Sequence, residues 1–325
     1  MRLLVLGAGA IGGYFGGRLA ESGADVTFLV RPARRAQLER DGLRIESALG
    51  KISRPVRTAL ADSVTPDYDV VLLTCKAYDL QSSLEAIAPA AGPQTAVIPL
   101  LNGLAHFAAL DARFGASRVM GGTCMIDATL GRDGVVHHVG TLQRLVFGER
   151  DGRRSPRAEA VAAVLAATTI DWSLSDDIEQ VMWDKLVFLA ALASMTCLFR
   201  ANVREIMSAP GGREAMERAL AANAEIAARE GHPPSAAGLD FARTRLTDPL
   251  GPWSASMLRD LESGGRVEVD HIVGWMRDLA RRHGVDDTLL SLAFTHLKAF
   301  EARREANRLP GRYAGSDAAA RGGTP

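Results

Sequence analysis

The sequence contains few cysteines and no excess of charge of either sign. Its three cysteines, Cys75, Cys124 and Cys197, form no CxxC pair, and such a sparse, odd set favours a reducing compartment over a disulfide framework. Lysine plus arginine and aspartate plus glutamate number 38 each, so no overall field attracts a polyanion. A nucleic-acid partner is therefore disfavoured. The histidines are not spaced as metal ligands are, so we also predict no metal site.

The sequence also lacks an apolar run long enough to cross a membrane. The longest run, Val187–Phe199, is shorter than the roughly 20 residues that a spanning helix needs. The N-terminal stretch is apolar only as far as Leu6, where glycines interrupt it, and this does not fit the core of a signal peptide. We therefore predict a cytoplasmic protein with no membrane partner.

The length and composition of the chain indicate two globular domains. A chain of 325 residues, with 47% hydrophobic and 23% charged residues, is too long for one typical core and too apolar to be disordered. Up to about residue 175, short apolar runs typical of buried parallel strands alternate with helical patterns. Beyond that point the strand patterns stop and helical patterns continue.

The patterns give specific elements. The predicted strands are 2–6, 25–30, 70–75, 96–100 and 118–124, with an antiparallel hairpin formed by 135–138 and 142–147 around Gly140. The later helices are 178–199, 211–231, 235–246, 266–283 and 288–305. We predict a Rossmann-type, doubly wound α/β domain over residues 1–175, an all-α domain over 176–308 and a flexible tail over 309–325.

A glycine-rich turn lies between the first strand and the first helix. It is a GxGxxG motif made of Gly7, Ala8, Gly9, Ala10, Ile11 and Gly12. Alone the motif is weak, but in this position the glycines permit a tight turn, the approach of a pyrophosphate, and close packing of helix on strand. The helix N-terminus supplies N–H groups for the phosphates. We predict a dinucleotide site here; the alternative is a glycine-rich turn without a ligand.

The end of the second strand indicates which dinucleotide binds. An acidic residue there would bind the ribose 2′-hydroxyl of NAD, whereas this sequence has Arg31, followed by Arg34 and Arg35. A guanidinium matches a phosphate in charge and in fork geometry. The position favours NADPH/NADP over NADH; the alternative is a solvated basic loop.

Several short motifs follow one another in a specific order along the chain. They are the Gly7–Gly12 turn, Arg31, Cys75-Lys76-Ala77, Leu101-Asn102-Gly103, Trp183-Asp184-Lys185-Leu186, Ser256-Met257-Leu258-Arg259-Asp260 and Glu268-Val269-Asp270. With this ordered set the sequence resembles the ketopantoate reductase (2-dehydropantoate 2-reductase) family, to about residue 300. The resemblance implies a Rossmann domain joined to a mostly helical domain, in agreement with the patterns above.

The resemblance also implies a role for each matching residue. Lys185 matches the family's proton donor, which also contacts the substrate. The other matches are Lys76 and Asn102 for cofactor and substrate, Ala128 and Glu268 for the cofactor, and Ser256 for the substrate carboxylate. The implied reaction is reduction of a 2-oxo acid by NADPH, which in this family belongs to pantothenate biosynthesis.

The proposed reaction itself requires a residue such as Lys185. Hydride delivery to a ketone leaves an alkoxide, which needs a proton or a nearby positive charge. A lysine that the apolar run behind it partly desolvates can act as that acid, because burial lowers the pKa of an ammonium group. The alternative for Lys185 is a snorkelling surface side chain. For Glu268 it is a solvated carboxylate, and for Asn102 a turn residue before Gly103.

The substrate pocket departs from the family. The resemblance implies asparagines one and two turns after the catalytic lysine, but this chain has Leu189 and Ala193 there, and Val203 in place of a third. Amides in those positions bind the hydroxyl end of ketopantoate, so their loss leaves that hydroxyl without a partner. We therefore expect a different, more hydrophobic 2-oxo acid as substrate.

Two other functions compete with this interpretation. One is another two-domain NAD(P)-dependent dehydrogenase, of the hydroxyacid or glycerol-phosphate type, and the other is a non-catalytic NADPH-binding sensor. The retained Lys185, Asn102, Ser256 and Glu268 argue against the sensor, because a protein that only binds has no need of the acid. The sequence leaves the oligomeric state open. We expect the apolar helices 178–199 and 266–283 to bury their surfaces either against each other or against a second subunit in a homodimer.

Overall fold

The computed structural model describes residues 1–309, which form two compact units. The first unit runs from Met1 to Met182, and the second begins at Trp183. The sequence patterns put the boundary at residues 175/176, slightly earlier in the chain. Leu309, the first residue of the predicted flexible tail, is buried. The rest of that tail, 310–325, lies outside the described residues.

The first unit contains ten strands. They are β1 (Arg2–Leu6), β2 (Asp25–Leu29), β3 (Leu43–Ser47), β4 (Ile52–Arg54), β5 (Arg57–Ala59), β6 (Val70–Leu73), β7 (Ala96–Pro99), β8 (Gly121–Leu130), β9 (Val135–Gly148) and β10 (Asp171–Leu174). One sheet is parallel throughout, in the order β5-β2-β1-β6-β7. Strands β1, β6 and β7 are apolar on both faces, as expected for a sheet covered on both sides. This confirms the predicted doubly wound α/β fold.

A second sheet, in the order β10-β9-β3-β4 with β8 paired to β9, was only partly predicted. The sequence placed a two-stranded hairpin around Gly140, and this is wrong: β9 is one continuous strand, antiparallel to β8. Ala128 pairs with His138 and Ile126 with Gln143, so the residues around Gly140 bulge outward instead of reversing the chain. The predicted strand 118–124 begins later, at Gly121, and also belongs to this sheet.

The helices of the first unit include α1 (Ala10–Glu21), α2 (Pro32–Asp41), α3 (Leu80–Ile87), α4 (His106–Phe114) and α5 (Pro156–Ala166). Helix α1 contacts strands of both sheets. A Cβ at Gly16 would collide with Phe28 of the parallel sheet, and one at Gly17 with Ile45 of the second sheet. Glycine costs about 1 kcal/mol per residue in a helix interior. Here it permits a helix to lie close to two sheets at once.

The second unit, from Trp183 to Leu309, consists of helices and connecting turns without a strand. Its helices are α6 (Ile178–Phe199), whose first turn precedes the boundary, α7 (Val203–Ser208), α8 (Gly212–Arg229), α9 (Ala236–Leu246), α10 (Ser256–Glu262), α11 (Trp275–His283) and α12 (Thr288–Glu305). The predicted helix 266–283 is wrong at its start. Residues 266–268 are irregular, and a π-helical turn, Asp270–Gly274, leads into α11.

Helix α6 contains the longest apolar run. By length and composition it could cross a membrane, but 67% of its apolar window is buried inside the protein itself, as in a core helix.

Candidate active site

The carboxyl ends of three neighbouring parallel strands meet at one edge of the parallel sheet. Leu6 of β1 pairs with Leu73 of β6, and Leu73 pairs with Pro99 of β7. The strand order reverses between β1 and β6, because β2 lies on the other side of β1. In open α/β sheets ligands bind outside the strand ends at such a switch point. The GxGxxG turn follows β1 at this position.

The geometry of the GxGxxG turn fits a dinucleotide pyrophosphate. Gly7 has a φ of 92°, which favours glycine. A Cβ at Gly12 would lie 2.2 Å from the carbonyl oxygen of Gly7, so only glycine lets α1 begin here. A Cβ at Gly9 would meet nothing within 4 Å, and Gly9 caps α1 without any side-chain hydrogen bond. Open space beside uncapped helix N–H groups is what a phosphate needs.

Thr74 supports this turn, and the sequence motifs did not indicate it. Its hydroxyl donates a hydrogen bond of 2.6 Å to the carbonyl of Leu6, the last residue of β1. Its Oγ1 atom is also the atom that a Cβ at Gly12 would approach within 2.4 Å. Thr74 therefore joins the end of β6 to the start of the glycine turn. A threonine directly after a buried strand is too common a pattern to single out.

Arg31 follows β2 at the same edge of the sheet and is 76% exposed. Its Nη2 donates to the carboxylate of Asp79 at a distance of 2.9 Å. An exposed ion pair contributes little stability, so this pairing leaves the guanidinium available to a stronger anion. Arg31 therefore presents an exposed guanidinium at the edge of the sheet where the glycine turn lies.

The two neighbouring arginines do something different from what the sequence suggested. Arg34 is half-buried, and its Nε and Nη2 donate to the carbonyl of Ala8 at 3.1 and 2.8 Å, while Nη1 donates to the carbonyl of Gly134 at 3.1 Å. Burial, followed by the charge of Arg44, lowers the pKa of Arg34. Arg35 pairs with Glu39 on the exposed face of α2. Arg34 is therefore a support of the glycine turn.

We expect Arg34→Ala to lower the free energy of unfolding by about 1–3 kcal/mol, because charge-assisted bonds to the Ala8 and Gly134 carbonyls are lost from a half-buried position. Chemical denaturation without cofactor measures this change. Arg35→Ala is the matched control and should change stability by less than about 0.5 kcal/mol, as usual for a surface ion pair on a helix. Equal stability of the two variants would contradict the supporting role of Arg34.

The structure brings two further predicted residues to the edge where the glycine turn lies. Lys76 follows β6 and precedes a 3-10 turn, Ala77–Asp79, and Asn102 follows β7. Both side chains are half-buried. Ala128 does not lie at a parallel strand end: it is in β8 of the second sheet, next to the bulge, and packs against the core that includes residues of α1.

In the second unit, Lys185 projects from a well-anchored turn of α6 and is half-buried. Trp183 stacks on His232 with ring centroids 5.4 Å apart. The carboxylate of Asp184 accepts two hydrogen bonds from Ser235, from the backbone N–H at 2.9 Å and from the hydroxyl at 2.5 Å. The same hydroxyl caps α9 by accepting from the N–H of Gly238. The two residues before Lys185 thus hold α6 to the start of α9.

The three positions at which the resemblance implies asparagines are apolar in different ways. Leu189 is half-buried on α6, one turn after Lys185. Ala193 and Val203 have no exposed surface. Asn202, the neighbour of Val203, is occupied in a capping box with Glu205 at the start of α7. Its amide therefore has a structural role in the helix cap.

The last two predicted residues lie outside helix interiors. Ser256 is the first residue of α10 and is half-buried. Glu268 is in the irregular stretch before the π-helical turn and is only 5% exposed. A carboxylate buried to this extent is costly unless it has partners, so Glu268 is not the solvated acid that the alternative proposed.

Two family models match the chain and together cover most of its length. The model described as "Ketopantoate reductase PanE/ApbA" matches residues 3–152, and "Ketopantoate reductase PanE/ApbA C terminal" matches residues 177–301. Among curated relatives, "Uncharacterized oxidoreductase YkpB" of Bacillus subtilis is 35% identical, over 94% of this chain and 100% of that protein.

Solved structures agree in fold. A 2-dehydropantoate 2-reductase from Geobacter metallireducens has a TM-score of 0.82 and is 28% identical, over 92% of this chain and 99% of that one. A D-mandelate dehydrogenase in a ternary structure with NADH and anilino(oxo)acetate has a TM-score of 0.84 at 21% identity, over 94% of this chain and 100% of that one. At that identity the second likeness concerns the fold alone.

Proposed function

The chain belongs to the ketopantoate reductase family, and on that premise we propose that it reduces a 2-oxo acid to the 2-hydroxy acid with NADPH. The observation that carries the proposal is the cradle at the end of β1, where Gly9 leaves open space beside the uncapped N-terminus of α1. Family membership makes the protein an oxidoreductase. The coenzyme preference, the acid and the substrate are our proposals.

The proposed reaction needs a hydride and a proton. A reduced nicotinamide, when bound, supplies the hydride to the carbonyl carbon of the substrate. Lys185 donates a proton from its ammonium group to the carbonyl oxygen, so that the oxygen becomes a hydroxyl and the lysine is left neutral. Asp184 and Trp183 hold the turn that carries Lys185, through Ser235 and His232. This anchoring limits the loss of side-chain order on binding.

The remaining residues bind and orient. As the family motifs imply, we assign Ser256 to the substrate carboxylate, and Lys76 and Asn102 to cofactor and substrate. We assign Glu268 and the backbone of Ala128 to the cofactor, as the family motifs imply. The 2-oxo acid and the dinucleotide are both negatively charged, so the cationic groups among these residues should strengthen their binding.

We expect Arg31→Ala to weaken NADPH binding by about 10–100-fold, the size expected when a charge-assisted bond to a phosphate is lost. Binding of NADH, which lacks the 2′-phosphate, should change by less than about twofold, since it makes no such bond. Fluorescence titration with each coenzyme measures both constants in the same protein. Arg35→Ala is the control and should leave both unchanged. If Arg31→Ala weakened both coenzymes equally, Arg31 would not bind the 2′-phosphate.

Two substrates have support. The likeness to 2-dehydropantoate 2-reductases supports ketopantoate, and with it a place in pantothenate biosynthesis. Leu189, Ala193 and Val203 favour a more hydrophobic 2-oxo acid, because an amide that would pair with a hydroxyl is missing at each position. We favour the second. Steady-state kinetics decides between them: a catalytic efficiency on ketopantoate equal to that on hydrophobic 2-oxo acids would contradict it. The cytoplasmic location and the homodimer stay predictions.

A further inference from the structure

Three aromatic rings and one guanidinium of the second unit form a continuous surface, here called the aromatic wall. It consists of Phe188, Phe241, Arg245 and Trp253. The rings of Phe188 and Phe241 meet edge to face, with centroids 5.3 Å apart. The guanidinium of Arg245 lies 5.6 Å from the ring centroid of Phe241 and 4.3 Å from that of Trp253. The wall thus links α6, α9 and the loop before α10.

Each end of the wall adjoins a residue of the proposed chemistry. Phe188 is three positions after Lys185 on α6, and residues so spaced are neighbours on one helix face. Trp253 is three positions before Ser256, the first residue of α10. The wall therefore extends from the proposed acid towards the proposed contact for the substrate carboxylate. None of its residues was indicated by the sequence motifs.

The loop end of the wall is fixed before any ligand binds. The carbonyl of Trp253 accepts a hydrogen bond from the N–H of Val203 at 2.9 Å, and the carbonyl of Gly251 accepts one from Arg204, also at 2.9 Å. A Cβ at Gly251 would lie 2.4 Å from the indole nitrogen of Trp253, so the glycine lets the indole pack against the loop. A fixed ring costs little entropy on binding.

Two rings of the wall are partly exposed. Phe241 is 38% exposed and Trp253 is 39% exposed, and Leu250, three positions before Trp253 in the sequence, is 78% exposed. Exposed large apolar side chains in one cluster indicate a binding surface. The surface therefore suits the aromatic ring of a ligand.

We propose that the aromatic wall selects 2-oxo acids with an aromatic side chain, whose ring packs on Phe241 and Trp253. The inference rests on the proposed function and specifies its substrate class. An aliphatic 2-oxo acid has a carboxylate for Ser256 but no ring for the wall. Aromatic pairs prefer the offset and edge-to-face contacts that Phe188 and Phe241 already make with each other. Phe241 is thus a specificity-determining residue.

The test compares phenylpyruvate with 2-oxobutyrate as NADPH-dependent substrates. In the unsubstituted protein kcat/KM should be about 10–100-fold higher for phenylpyruvate, since discrimination by an apolar pocket has this size. Phe241→Ala should reduce that preference by about tenfold, through loss of activity on phenylpyruvate. Phe241→Tyr, which keeps an aromatic ring at this position, should retain the preference. Leu292→Ala, which removes an exposed leucine on α12, is the control and should leave the preference unchanged.

The possible failures are distinct. If neither acid is reduced but another 2-oxo acid is, the inference fails and the proposed function stands; if no 2-oxo acid supports NADPH oxidation, both fail. If 2-oxobutyrate is reduced at least as efficiently as phenylpyruvate, or if Phe241→Ala lowers both activities equally, the inference fails and the proposed function stands. If Phe241→Ala changes only the oligomeric state, measured by light scattering, the wall is an interface between copies of the chain and the inference is wrong.

Discussion

Lys185→Ala is expected to lower kcat for 2-oxo acid reduction by about 10²–10⁴-fold, the usual contribution of a general acid. The oxygen that receives negative charge during hydride transfer then has neither a proton donor nor a positive charge beside it. Affinity for NADPH should change by less than about threefold, because the proposed cofactor contacts come from other residues. Single-turnover absorbance changes of the nicotinamide and equilibrium titration with NADPH separate the two effects.

Lys51→Ala is a suitable control for this experiment. Lys51 is exposed in the first unit and has only a weak contact with Glu46, at 3.8 Å. Its removal should leave kcat unchanged. The comparison also separates an enzyme from a sensor, because a sensor would lose nothing that depends on an acid. If the Lys185→Ala variant kept more than about a tenth of the activity, the assignment of the acid would be wrong.

Two alanine substitutions in the GxGxxG turn should have different consequences. Gly12→Ala places a Cβ 2.2 Å from the carbonyl oxygen of Gly7 and 2.4 Å from Oγ1 of Thr74, so it should destabilise the fold by about 1–3 kcal/mol, as overpacking does. Gly9→Ala meets no atom within 4 Å and should leave the apo protein as stable as before. It should nevertheless weaken NADPH binding by about 10–100-fold, because a methyl group would stand where the pyrophosphate approaches.

Thermal unfolding of the apo proteins and NADPH titration measure this pair of effects. Each variant is the matched control of the other, since both add one methyl group to the same turn. If Gly9→Ala bound NADPH normally, the open space beside α1 would not be the pyrophosphate site. If Gly12→Ala unfolded at the same temperature as the unsubstituted protein, the close approach of α1 to the end of β1 would not restrict this position.

The parallel sheet and the glycine turn after β1 could be predicted because their signals are local. Each buried strand is a short apolar run, and the glycines needed by a tight turn stand directly after the first one. Pairing in register then brings Gly7, Lys76 and Asn102 to one edge without further information. The glycines within α1 did not predict the second sheet. They allow α1 to pack closely against two sheets, and only the structure identifies Phe28 and Ile45 as the neighbouring residues.

The second sheet and the supports of the site could not be predicted, because they depend on contacts between distant segments. Strand β4 of the second sheet has three residues, too few to show a period. Gly140 has the φ of a turn glycine but lies in a bulge, and pattern alone does not distinguish the two. Arg34 reaches Gly134, 100 residues away. Phe188, Phe241 and Trp253 come from three separate segments and belong to no common motif.

The measurement that most directly tests the central claim is NADPH oxidation by the purified protein with a panel of 2-oxo acids, repeated with NADH. We predict stoichiometric formation of the 2-hydroxy acid, with a kcat/KM for NADPH at least about tenfold above that for NADH, as expected from one charge-assisted contact between Arg31 and the 2′-phosphate. No turnover with any 2-oxo acid, or equal use of the two coenzymes, would contradict the account.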